Sequence, residues 1–140
     1  MILVDTTILV EILRKKNKVI EFLQKLGTAP LFTTVISVME LTYGITGNRF
    51  YADKPELKQR RLTEIQDLCS KFTVLPFDHK SAIKTAQIMG SLKLEGKLVD
   101  FRDGMIAGIG LANGIEELLT LNKEHFERMK ELKIITINLK

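Results

Sequence analysis

The stretch Met1-Ile2-Leu3-Val4-Asp5-Thr6-Thr7-Ile8-Leu9 passes from four apolar residues to a carboxylate and then to apolar positions at helical spacing, which Ile12 and Leu13 continue. A short apolar run bounded in this way predicts a fully buried strand, and a strand handing over directly to a helix is half of a βαβ unit. Asp5 is therefore expected at the carboxyl end of a buried strand, where open parallel sheets collect their functional groups.

The rest of the chain repeats the alternation. Val19, Ile20, Leu23 and Leu26 mark a second helix that Gly27 ends, and residues 31–36 are rich in strand formers before Ser37 opens a helix carrying Met39, Glu40, Leu41 and Tyr43. Residues 44–55 read as loop and 56–72 as a helical excursion. Residues 73–76 read as a short strand, and 82–94 as a helix with Asp78 as its cap. Asp100 leads into a small-residue, apolar helix over 105–112 closed by Asn113-Gly114, whose glycines permit close approach of a neighbour. Strands over 118–121 and 134–137 flank a short helix over 123–132 capped by Asn122. Strands alternating with helices imply an α/β fold with a parallel sheet covered on both faces.

Length and composition narrow the class. At 140 residues the chain has room for one core and not for two ordinary ones, so a single domain over 1–140 is expected. Hydrophobic content of 45% beside 27% charged residues excludes a disordered or fibrous chain. The first apolar run meets Asp5 before it could form a signal-peptide core, no basic leader precedes it, and no run is long enough to span a membrane, so a cytoplasmic protein without a membrane partner is expected. Cys69 has no second cysteine to pair with and reads as core filler. The net charge of +4 permits a polyanionic partner, and the basic residues crowd into two segments: Arg14, Lys15, Lys16 and Lys18, then Arg49, Lys54, Lys58, Arg60 and Arg61. The second cluster reads either as a contact for phosphates or an acidic partner, or as a solvated helix face.

Asp5, Glu40 and Asp103, together with Asn122, fall at equivalent strand-to-helix junctions, Asp103 reaching from the first turn of its helix. Each has a capping alternative. Ser37 to Glu40 matches the capping-box pattern, Asp100 with Asp103 at the third helical position has the same form, and Asp5 or Thr6 suits the first helix start. The set as a whole points elsewhere, because these acids border the most apolar segments of the chain and buried carboxylates that repel one another need a cation. Hard oxygen donors without Cys or His clusters suit Mg²⁺ or Mn²⁺ rather than Zn²⁺. Such an ion suits phosphodiester hydrolysis. There is no glycine-rich phosphate loop, no nucleophile-elbow serine motif and no Cys–His pair. His79 and His125 are isolated in sequence and read as surface or capping residues.

Four blocks in order resemble the PIN-domain family, and within it the VapC-type toxin ribonucleases. They are Ile2-Leu3-Val4-Asp5-Thr6-Thr7-Ile8-Leu9, Ser37-Val38-Met39-Glu40-Leu41-Thr42-Tyr43-Gly44, Asp103-Gly104-Met105-Ile106-Ala107-Gly108 and Leu119-Thr120-Leu121-Asn122-Lys123-Glu124-His125-Phe126. The resemblance implies a three-layer α/β/α domain with a central parallel sheet, an acidic pocket for Mg²⁺ or Mn²⁺, and endonucleolytic cleavage of RNA. By motif Asp5, Glu40 and Asp103 correspond to the family's three acids. Asp5 and Asp103 would be the primary metal ligands, and Glu40 either a further ligand or the group orienting the attacking water. Thr6 or Thr7 would hydrogen-bond a ligand or a phosphate. The family's fourth position often holds Asp and here is Asn122, which offers a carbonyl oxygen without charge. Asp100 either restores that charge as a further ligand or serves as a cap. Arg14 and Arg102 are the basic residues nearest the acids in sequence and the candidates for phosphate contact. The resemblance also implies a homodimer and a VapB-type antitoxin partner. Two other functions remain open at this point: a housekeeping PIN nuclease acting on ribosomal RNA, and a catalytically weak PIN-like RNA-binding module.

Overall fold

The computed structural model describes residues 1–139; Lys140, the last residue of the expected domain, lies outside the described residues. Five strands form one parallel sheet: β1 (Ile2–Val4), β2 (Leu31–Thr34), β3 (Thr73–Leu75), β4 (Glu117–Leu119) and β5 (Lys133–Ile135), in the order β3-β2-β1-β4-β5. Between them run α1 (Thr6–Leu13), α2 (Asn17–Lys25), α3 (Val35–Thr46), α4 (Pro55–Cys69), α5 (His79–Leu94), α6 (Phe101–Ala112) and α7 (Lys123–Phe126), with a 3-10 turn at Arg49–Tyr51. The register pairs Leu3 with Phe32 on one side and with Leu118 on the other.

Alternation along β1 sorts the core into two layers. Leu3 joins Ile88, Leu92, Ile106, Ala107 and Ile109 of α5 and α6, with Leu118, on one face. Ile2 and Val4 join Ile8, Leu9, Val19, Leu41, Ile65 and Leu68 of α1 to α4 on the other. The expected three-layer α/β/α arrangement is therefore present. Cys69 is buried in the second layer, in keeping with core filler. The glycines of α6 do what their size allows: a Cβ at Gly104 would strike Met89 and one at Gly108 would strike Thr85, so both let α6 lie close against α5.

Several element ends differ from the sequence expectation. The second strand stops at Thr34, whose side chain caps α3 by accepting from the Ser37 N–H at 3.2 Å. Ser37 is therefore inside the helix, fully buried, and the expected Ser37–Glu40 capping box does not form. Thr34 wins because the helix starts while the chain is still leaving the sheet, which frees Glu40 for another contact. The helix expected over 123–132 ends at Phe126 and continues as turns, and α5 begins at His79 with Asp78 as its expected cap. Among the described residues no helix is long and apolar enough to cross a membrane.

The site's location follows from the strand order. The chain builds β1, β2 and β3 outward, then crosses back so that β4 lies on the opposite side of β1. The order reverses between β1 and β4, and a crevice opens there at the carboxyl ends of the strands.

Candidate active site

Asp5 follows β1 directly and caps α1, so the capping and site readings both apply to it. One carboxylate oxygen, Oδ1, accepts from the Thr7 N–H at 3.1 Å, the Thr7 hydroxyl at 2.6 Å and the Ile8 N–H at 3.4 Å. Its Oδ2 accepts from the Thr120 hydroxyl at 2.6 Å. Both threonines are themselves held from behind. The Thr7 hydroxyl oxygen accepts from the Leu121 N–H at 3.0 Å and that of Thr120 from the Asn122 N–H at 2.9 Å. An oxygen that receives an N–H on a lone pair turns its own proton outward, so both hydroxyls are set as donors to Asp5. These bonds lock the end of β1 to the turn after β4.

Asp5 is only 3% exposed. Burial raises its carboxyl above the ordinary carboxylate range, against the opposing pull of the bonds from Thr120, Thr7 and Ile8. A carboxylate buried to this degree is costly to keep charged, which distinguishes it from a cap made only to finish a helix.

The other acids reach the same cavity, of about 190 Å³, lined by Asp5, Glu40, Asp100, Asp103, Asn122 and His125 among others. Glu40 projects from α3, and its Oε1 accepts from the Thr6 hydroxyl at 2.8 Å; Thr6 Oγ1 lies 2.9 Å from the buried Ser37 Oγ. Asp103 stands in the first turn of α6, and its Oδ2 lies 3.0 Å from His125 Nδ1. Burial raises the Asp103 carboxyl, while the bond to His125 and its charge lower it, leaving a net rise. Asp100 caps α6 by accepting from the Arg102 N–H at 2.8 Å, and the Arg102 guanidinium holds its carboxyl below the usual range. Asp100 is therefore a cap, as one of its two sequence readings had it, and its side chain also lines the cavity.

Asn122 lines the cavity without making a side-chain cap bond to α7. Arg102 also lines it. Arg14 does not. It pairs with Glu11 at 3.1 Å and borders a second, larger cavity of about 660 Å³ between α1, α3 and α4, which shares Thr6 and Glu40 with the acidic one. Arg61 lines that larger cavity as well, paired to Glu64, whereas Lys54 sits 4.2 Å over the Phe50 ring. The basic segment is therefore split between a cavity wall and local surface contacts.

Of the further participants, sequence reasoning passed over Thr120, gave Ser37 only a capping role, and read His125 as an isolated surface or capping residue, whereas its ring meets Asp103. Thr120 interrupts an apolar strand at its carboxyl end, a signal equivalent to that of Asp5. His125 stands one turn beyond Asn122, so a helix start at residue 123 already turns it toward the same end of the sheet.

Among the described residues no three acidic, histidine or cysteine side chains are grouped so as to hold an ion, and each carboxylate of the cavity has a partner in Thr7, Thr120, Thr6, Arg102 or His125. The donor set nevertheless fits a hard divalent cation: carboxylate and amide oxygens line the cavity, and the single thiol lies in the core.

Comparison with known proteins bears on the family and the fold. The PIN-domain family model matches residues 2–132. The tRNA(fMet)-specific endonuclease VapC of Salmonella typhimurium is 30% identical over 132 residues, covering 94% of each chain. Ribonuclease VapC1 of Methanocaldococcus jannaschii is 31% identical over 130 residues, covering 93% of this chain and 82% of its own. Among solved structures, DNA-bound VapBC from Salmonella typhimurium superposes with a TM-score of 0.81 at 29% identity, over 96% of each chain. VapBC2 from Rickettsia felis, bound to a fragment of its promoter, gives 0.82 over 99% of this chain and all of its own, at 23% identity, a likeness of fold alone. The match of the family model over residues 2–132, together with relatives about 30% identical over nearly the whole chain, shows that this chain belongs to the PIN-domain family.

Proposed function

We propose that this protein is a divalent-metal-dependent endoribonuclease, using Mg²⁺ or Mn²⁺, and the toxin of a VapBC-type toxin-antitoxin pair. The observation that carries the chemistry is the buried Asp5 carboxylate facing the same cavity as Asp103, Glu40 and Asp100. Asp5 and Asp103 would hold the ion, with Glu40, Asp100 and Asn122 as the remaining oxygen donors of the cavity. The bound cation supplies charge neutralisation at the phosphate and an acidified water.

The chain's own groups do the positioning. Thr7 and Thr120 fix the orientation of the Asp5 carboxylate from both oxygens. Glu40, oriented by the Thr6 hydroxyl, accepts the proton of the attacking water. Arg102 faces the cavity as a donor to phosphate oxygens, while the Thr6 hydroxyl is committed to Glu40 and that of Thr7 to Asp5. Arg14 meets phosphate from the adjoining cavity. Full-length similarity to VapC ribonucleases, and to VapC in complex with VapB, supports RNA as substrate and a VapB-type protein as partner. We infer the homodimer from the same kinship.

The test is RNA cleavage by the chain purified with the partner encoded beside it and then freed of it. Cleavage is expected with Mg²⁺ and lost with excess chelator, and expression alone is expected to arrest growth until the neighbouring gene is supplied. Cleavage that persists in chelator would sink the metal mechanism. Cleavage without growth arrest would leave a nuclease of another kind, and RNA binding without turnover would leave a binding module.

A further inference from the structure

Arg102 occupies the carboxylates that a second cation would need. Its Nε and Nη2 donate to the two oxygens of Asp100 at 3.2 and 3.1 Å, and its Nη1 lies 3.7 Å from Glu40 Oε2. The backbone N–H of the same residue bonds Asp100 at 2.8 Å, so the arginine is tied down at both ends of its side chain. A guanidinium stays charged at any pH a folded protein meets, and its planar fork matches a carboxylate with two parallel bonds.

The other half of the cavity is built differently. Asp5 is bonded by hydroxyls and backbone N–H groups, and Asp103 by a histidine ring. Asn122, at the remaining corner, brings no charge. The four carboxylates thus divide into a pair served by a fixed cation and a pair that is not.

Resting on the metal-dependent reading above, we propose that Arg102 stands in for a second metal ion: Asp5 and Asp103 serve one divalent cation, and the guanidinium supplies the other positive charge at Asp100 and Glu40. A second divalent ion would have to displace the guanidinium and take both carboxylates from it. Its half-exposed side chain keeps further N–H donors turned to solvent, so the same group that excludes an ion remains able to meet a substrate phosphate.

Mn²⁺ titration of the full-length chain, read by the electron paramagnetic resonance signal of free Mn²⁺, tests this without recourse to activity. The wild type is expected to saturate at one ion per chain. Arg102→Gln, at an exposed position that the fold tolerates, is expected to take a second ion with an affinity at least about tenfold above any second binding by the wild type. Arg102→Lys, which keeps the charge, is expected to stay at one. Two ions on the wild type, or one on Arg102→Gln, would overturn the role of Arg102 and leave the metal reading standing. No bound Mn²⁺ on any of the three would overturn the metal reading itself, and this inference with it.

Discussion

Asp5 and Asp78 are built alike and behave in opposite ways. Each caps a helix that follows a strand, and each carboxylate accepts from the backbone N–H three residues on and from a nearby hydroxyl, Thr7 for one and Ser81 for the other. Asp78 lies exposed beyond the edge strand β3, and its bonds from Ser81 hold its carboxyl below the ordinary range. Asp5 lies beyond the central β1, where burial outweighs the same kind of bonds and raises it. A capping motif serves only its own helix at a sheet edge, and becomes part of an acid-lined cavity where the strand order reverses.

The sharpest way to break this comparison is to remove the charge at each member. Asp5→Asn and Asp103→Asn keep the shape of each side chain and should each lower Mg²⁺-dependent cleavage by at least about 100-fold, as loss of an acting catalytic group does. Asp78→Ala should leave cleavage unchanged. Equal activity in Asp5→Asn and wild type would return Asp5 to the status of an ordinary cap.

A smaller effect is expected at the residues that hold the acids. Thr120→Val preserves volume and removes the donor to Asp5 Oδ2. It should reduce Mn²⁺ affinity by about 10- to 100-fold, as loss of an outer partner of a ligand does, and cost about 1–3 kcal/mol of stability for the bond withdrawn from a buried group. His125→Ala should weaken Mn²⁺ binding within the same range through Asp103. A calorimetric titration and a thermal melt of each variant measure both quantities, and unchanged Mn²⁺ binding in the two would show the supporting bonds to be incidental.

The pH dependence separates the two caps by sign. Asp5 and Asp103 are raised in the folded protein, so the folded state holds their protons more tightly than the unfolded chain. Their contribution to stability is complete below the unfolded carboxylate pKa and is lost as pH rises through their raised values. Asp78 and Asp100 are lowered, so theirs is present above the unfolded value and lost as pH falls. In metal-free protein, Asp5→Asn is therefore expected to melt at or above the wild-type temperature at neutral pH, while Asp78→Ala melts slightly below it. Cleavage, which needs Asp5 and Asp103 ionised, should fall on acidification, and the fall should move to lower pH as Mg²⁺ is raised, because the ion competes with their protons. A melting temperature for Asp5→Asn well below wild type would show that its hydrogen bonds, and not its burial, dominate.

Much of this was legible along the chain. The run Ile2-Leu3-Val4 followed by Asp5 fixes a buried strand and a carboxylate at its end, because a buried parallel strand must be apolar on both faces and period alone marks the helix after it. Glu40 inside α3 is likewise readable as an acid after a strand, whereas Asp103, expected at a strand-to-helix junction, stands in the first turn of an α6 that follows α5 with no strand between them. The helix start expected at Ser37 moved to Val35, because the Ser37–Glu40 pattern is a local rule and the start was decided by where β2 leaves the sheet. Thr120 escaped notice, and His125 read as an isolated surface or capping residue, for the same reason: hydroxyl and imidazole become partners of a carboxylate only when a residue 115 or 22 positions away is brought beside them.

The sequence by itself thus determined the alternation of strands and helices, the apolar layers and the identity of the acids, since these depend on periodicity and on the chemistry of single residues. Tertiary structure decided which acids are buried and which are paired. It put β4 beside β1, aimed two threonine hydroxyls at Asp5, and set a guanidinium between Asp100 and Glu40. Those outcomes depend on distances between segments far apart in the chain, and both the cost of burying a charge and the relief of pairing it are set by those distances.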